Sequence, residues 1–86
     1  MKRYLVMAMR TPAFSDAAIA PHLAFLDALR ADGKLLMTGG FSDGTGGAYV
    51  LENLASLDEA QAIAARDPLN DGGASLLRVY EWNTRT

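Results

Sequence analysis

An α+β fold is predicted, in which a four-stranded antiparallel sheet carries two helices on one face. Three observations predict it. Four short apolar runs bounded by glycine or proline read as strands. Two segments between them carry helix signals, an apolar stripe at helical spacing in one and a capping pattern in the other. The six segments follow one another as β-α-β-β-α-β, the split βαβ order.

The first strand is Lys2 to Arg10, dense in Tyr, Leu, Val and Met and closed at Thr11-Pro12, because proline cannot continue a ladder. In the next segment Ala18, His22, Phe25, Leu26 and Leu29 recur at spacings of three and four. Pro21 suits the first turn of a helix rather than its interior. A loop or short turn is therefore expected over residues 14–20, with the helix from Pro21 to Asp32-Gly33, where glycine fits the left-handed cap. Lys34 to Phe41 is the second strand, and Gly39-Gly40 suggests a bulge or a close backbone approach. Ser42 to Gly47 reads as a glycine-rich hairpin turn, and Ala48 to Glu52 as the third strand. Ser56 is an N-cap with Glu59 three residues on, a capping box. The second helix runs to Arg66, since Pro68 disfavours the helical region at Asp67. After an Asp-Pro turn and Gly72-Gly73, Ala74 to Trp82 forms the fourth strand. The whole is a ferredoxin-like sheet in a single domain over residues 1–86.

A sheet with one wet face alternates apolar and polar residues. The first strand does not, since Tyr4, Val6 and Ala8 share one face while Leu5, Met7 and Met9 share the other. The fourth likewise sets Leu77 and Val79 opposite Leu76, Tyr80 and Trp82. Two helices cover one face, and leaving the other bare exceeds the few hundred Å² of apolar patch that monomers usually expose. Thr84 to Thr86 are too few to fold back over it. A homodimer formed through the sheet, a dimeric αβ-barrel, is the expected solution, and a short chain gains stability by associating.

Composition narrows the chemistry. Half of the residues are apolar and the net charge is −2, with eight basic and ten acidic residues dispersed. No basic patch favours nucleic acid or anionic membrane. Cysteine is absent, which removes disulfides, thiolate metal sites and thiol nucleophiles. The start MKRYLVMAMRTP places charge before an apolar run too short for a signal peptide, and no run approaches a membrane span. A soluble cytoplasmic protein is expected. A single histidine without cysteine argues against a transition-metal site, so neither metal nor cofactor is expected.

His22, the only histidine, falls in the apolar stripe of the first helix and should point toward the sheet. The plain reading of such a residue is a satisfied core histidine. Against it stands its place in the first helical turn, where the helix dipole favours a neutral ring able to accept a proton. Asp67 is a candidate partner elsewhere in the fold, although Asp-Pro after a helix is usually only a turn. A carboxylate fixes the tautomer of a histidine and makes it a better base. Asp43 to Gly47 lacks the P-loop lysine and joins two strands, so it reads as a hairpin. Asp58 and Glu59 stabilise a helix dipole, and Ser15, Ser42 and Ser75 have no nucleophile setting.

His22-Leu23-Ala24-Phe25-Leu26, Gly33-Lys34-Leu35-Leu36, Gly39-Gly40, Ser56 to Ala60 and Asp67-Pro68, in this order, resemble the YciI-like (YCII-related) family from Tyr4 to Trp82. The resemblance implies a ferredoxin-like dimer related to the dimeric αβ-barrels. It also implies an active-site dyad of His22 and Asp67, which match the family's histidine and aspartate. Gly39-Gly40 stands where the family often has Gly-Pro, and the hairpin that follows is short. One activity attached to the family removes chloride from a chlorinated hydroxyhydroquinone.

Two functions follow as expectations. The first is a cofactor-free acid–base enzyme of lyase, isomerase or dehydrohalogenase type. In it His22, oriented by Asp67, takes a proton from a small aromatic (hydroquinone-like) or carbonyl substrate. The second is a non-catalytic dimeric small-molecule-binding or regulatory module, in which the same pair only braces two helices. An open cleft reaching His22 favours the first and a closed, packed site the second. Cofactor-free oxygenation, suggested by fold analogy alone, ranks last.

Overall fold

Alternation along the first strand decides which side of the sheet becomes core. In a computed structural model, which describes residues 1–85, Tyr4, Val6 and Ala8 of β1 (Lys2–Arg10) are buried. They lie beneath α1 (Ile19–Ala31) and α2 (Leu57–Ala65), whose Leu26, Leu29, Ala60 and Ile63 join Tyr4 and Val6 in one apolar cluster. The remaining strands are β2 (Leu35–Gly40), β3 (Gly46–Leu51) and β4 (Ser75–Asn83). The sheet order is β2-β3-β1-β4 and every neighbouring pair is antiparallel. This is the expected α+β, ferredoxin-like arrangement.

Register fixes the faces. Val6 stands opposite Tyr49 and Val79, and Ala8 opposite Gly47 and Leu77, so these residues share the helix side. Leu5 opposite Tyr80, Met9 opposite Leu76 and Arg3 opposite Trp82 share the other. On that outer face Leu76, Tyr80 and Trp82 are 54%, 45% and 47% exposed.

Several boundaries differ from those expected, each for a local reason. Ser15 accepts a hydrogen bond from the Ala17 N–H and caps a 3-10 turn at Asp16–Ala18, which runs straight into α1. The helix therefore begins at Ile19, with Pro21 still inside its first turn where no donor is required. Gly33, with φ +73, follows its C-terminal end. The irregularity in β2 lies between Leu35 and Met37 rather than at Gly39-Gly40. Ser56 accepts from the Glu59 N–H at 3.2 Å, while the Glu59 carboxylate reaches the Ala55 N–H at 2.8 Å, so the capping box closes one residue early. A second 3-10 turn, Pro68–Gly73, joins α2 to β4.

β3 starts two residues before the expected Ala48, because Gly46 and Gly47 continue the ladder opposite Met9 and Ala8. The close approach expected at Gly39-Gly40 is found instead at Gly46 and Gly47. A Cβ on Gly46 would strike the Ala8 carbonyl, and one on Gly47 would stand 2.5 Å from the Gly39 carbonyl oxygen. Gly47→Ala is expected to cost about 1–3 kcal/mol through forced backbone displacement, readable as a lower urea midpoint with unchanged m-value. Among the described residues no helix is long and apolar enough to cross a membrane.

Candidate functional site

The pair expected from the sequence meets in space. His22 lies one turn into α1 and its ring faces the sheet. Asp67 ends the segment after α2, where Pro68 turns the chain out of the helix. His22 Nδ1 lies 2.8 Å from Asp67 Oδ1, and the histidine side chain is 15% exposed while that of the aspartate is fully buried. The same Oδ1 accepts the Leu69 N–H at 2.9 Å, so Asp67 caps the 3-10 turn as well as holding the imidazole.

The second carboxylate oxygen is also engaged. The Tyr49 hydroxyl donates to Asp67 Oδ2 at 2.8 Å from β3, and its ring tilts against His22 with centroids 6.0 Å apart. Tyr49 is 2% exposed. Its sequence context held one usable signal: a tyrosine on the inward face of a central strand must find a hydrogen-bond partner for its hydroxyl. Three donors thus converge on one buried carboxylate, which offsets the cost of taking its charge out of water. Because an ionised carboxylate only accepts, the Nδ1 facing it carries the proton, and Nε2 is left with an unshared lone pair.

Burial, then the adjacent Asp67 charge and the hydrogen bond to it, hold the Tyr49 phenol well above its ordinary value of 10.0. The sign of the consequence follows from linkage. A folded-state value raised above the unfolded one leaves stability intact below about pH 10 and erodes it as pH climbs further. Alkaline titration of unfolding midpoints should show this loss above about pH 10, and Tyr49→Phe should flatten it while lowering stability at neutral pH.

His22 opens onto a cavity of about 290 Å³ between α1 and the sheet. Phe14, Ile19, Leu23, Leu26 and Leu69 supply an apolar side. Gly39, Gly40, Gly46 and Gly47 form a wall without side chains, and Arg10, Thr38 and Ser75 bring polar groups to the lining. Among the described residues no group of three His, Cys, Asp or Glu side chains is placed to hold a metal ion.

Comparison with known proteins agrees with this arrangement. The YCII-related domain matches residues 2–83. The chain belongs to the YCII-related family. A curated YCII-related relative, the uncharacterized protein YjpA of Bacillus subtilis (strain 168), is 47% identical over 85 residues, covering 99% of both chains. A solved structure of similar fold is 5-chloro-2-hydroxyhydroquinone dehydrochlorinase (TftG) from Burkholderia phenoliruptrix AC1100, in complex with 2,5-dihydroxybenzoquinone. It shares 26% identity and a TM-score of 0.73 over 94% of this chain and 93% of that one. The YCII-related resemblance read from the sequence is therefore correct, and so is the fold it implied.

Proposed function

We propose that this YCII-related chain is a cofactor-free acid–base enzyme, in which His22 is the proton acceptor and Asp67 its orienting partner. One observation carries the reading. His22 Nδ1 is tied to a buried carboxylate while the residue lines an open cavity, so the free Nε2 is a base presented to a small ligand. A brace between packed elements needs no such space, and the cavity therefore favours catalysis over the purely structural alternative.

The substrate we propose is a small hydroquinone-like aromatic or an enolisable carbonyl compound, and the similar dehydrochlorinase supports the aromatic case. Loss of HCl from a chlorinated hydroxyhydroquinone needs a base and nothing else. One hydroxyl proton moves to the chlorine-bearing carbon as the ring takes its keto form; a second hydroxyl proton then passes to Nε2, chloride leaves with the electron pair of the C–Cl bond, and the ring becomes a hydroxyquinone. The carbons that become carbonyls are oxidised as the C–Cl carbon is reduced to C–H, so the reaction is redox-neutral and no external oxidant is consumed. Asp67 balances the positive charge that the imidazole acquires.

The test is chloride release from 5-chloro-2-hydroxyhydroquinone, followed with an ion-selective electrode. Solvent-deuterium exchange into enolisable ketones tests the carbonyl alternative. Turnover of either that survives in His22→Ala overturns the assignment.

We also propose that two copies pair through the outer sheet face. Leu76, Tyr80 and Trp82 on β4, beside Leu5, Met7 and Met9 on β1, give an apolar surface that neither helix covers. Paired Tyr80→Asp and Trp82→Asp substitutions should halve the mass measured by light scattering on a sizing column. A monomeric mass for the unchanged protein would refute the pairing.

A further inference from the structure

The cavity carries one cation that no part of the reading above employs. Arg10 is the last residue of β1, on the same face as Tyr4, Val6 and Ala8, so its side chain emerges on the helix side. Its guanidinium carbon lies 4.1 Å from the centre of the Phe14 ring. It makes no ion pair among the described residues, whose four pairs involve other side chains. Directly across the ladder from Arg10 is Ser75, the first residue of β4. Residues opposite one another in an antiparallel pair present adjacent side chains on the same face. Ser75 is 7% exposed and lines the same cavity.

A cation and a hydroxyl side by side on one cavity wall are a combination that recognises an oxyanion, because a guanidinium fork and an O–H can donate to one oxygen pair. The apolar lining and the glycine wall suit the rest of a flat ring. Gly40 marks how open that wall is, since a Cβ there would meet nothing closer than the Gly46 carbonyl oxygen at 3.9 Å. We propose that Arg10 and Ser75 form an oxyanion-binding subsite of the cavity, so that the ligand enters as a planar anion, a carboxylate, enolate or phenolate. This rests on reading the cavity as the substrate site. It adds a charge requirement and two residues that set orientation relative to His22.

The test is calorimetric binding of benzoate and of its neutral isostere benzamide to the full-length protein. Benzoate should bind the unchanged protein more tightly than benzamide does. Arg10→Met should weaken benzoate by about tenfold to a hundredfold and leave benzamide unaltered. Arg10→Lys should recover part of the loss, since the charge returns without the fork. Ser75→Ala should weaken benzoate several-fold, and raised salt should weaken benzoate wherever the cation at position 10 is kept but not in Arg10→Met. Arg10 is exposed, so its variants keep the fold.

Equal affinity of the two ligands, no benzoate binding at millimolar concentration, or benzoate affinity unchanged in Arg10→Met would each overturn the subsite. Turnover in His22→Ala and benzoate binding in Arg10→Met are separate measurements. Failure of the acid–base reading therefore shows in turnover and leaves this binding result intact, whereas failure of the subsite shows in binding alone.

Discussion

His22→Ala is expected to lower kcat/KM on any substrate of the cavity by about 10²–10⁴, the range over which a positioned general base acts. The fold should survive. The ring is partly exposed and belongs to a helix whose docking is carried by Leu26 and Leu29. Its removal leaves Asp67 Oδ1 with the Leu69 N–H and Oδ2 with the Tyr49 hydroxyl, so the carboxylate keeps two of its three donors. A cost of about 1–3 kcal/mol in stability is expected for the lost third. The measurement is a pair: initial rates and a urea denaturation curve on the same preparation. A rate unchanged from the parent protein would remove histidine from the chemistry. A rate loss matched by wholesale unfolding would make it structural.

Asp67 should divide the two effects differently. Asp67→Ala strands the Tyr49 hydroxyl, the Leu69 N–H and the imidazole Nδ1–H together in a buried place, at about 1–3 kcal/mol each. Of order 3 kcal/mol or more is a large fraction of what a domain of this size can lose. Asp67→Asn is the discriminating variant. Its amide oxygen can still accept from the imidazole and from the Leu69 N–H, and its NH₂ can donate to Tyr49, whose hydroxyl accepts as readily as it donates. The fold should stand with a stability close to that of the parent, yet the charge that balances an imidazolium is gone. A fall in kcat with a smaller change in KM is expected, because the lost interaction belongs to the charged transition state. Parent-like kcat in Asp67→Asn would leave the carboxylate only a capping role.

Much of this was legible in the chain. The doubled apolar faces of β1 and β4 are local patterns of period two, and the structure preserves both, one under the helices and one open. The capping residue Ser56 and the stop at Asp67-Pro68 are likewise local chemistry, placed where expected within a residue. The starts of α1 and β3 were not legible. Ser15 chose a 3-10 entry that propensity does not announce, and Gly46-Gly47 reads as turn until the neighbouring carbonyls of Ala8 and Gly39 leave no space for a side chain. The site divides in the same way. The residues alone offer Asp67 only as a candidate partner for His22, since nothing local joins the two positions, and the resemblance to a family is what makes them a dyad. Tyr49 escaped notice because its role depends on β3 lying beside β1 beneath α1, a long-range fact.

Helix α1, strand β3 and the turn after α2 are fastened to a single carboxylate, and that carboxylate also starts the Pro68–Gly73 turn. Displacing that carboxylate releases all three at once, so His22 keeps its alignment only while the elements around Asp67 stay packed. Heating should then inactivate and melt the chain in one step, with the curves for residual turnover and for ellipticity superimposed.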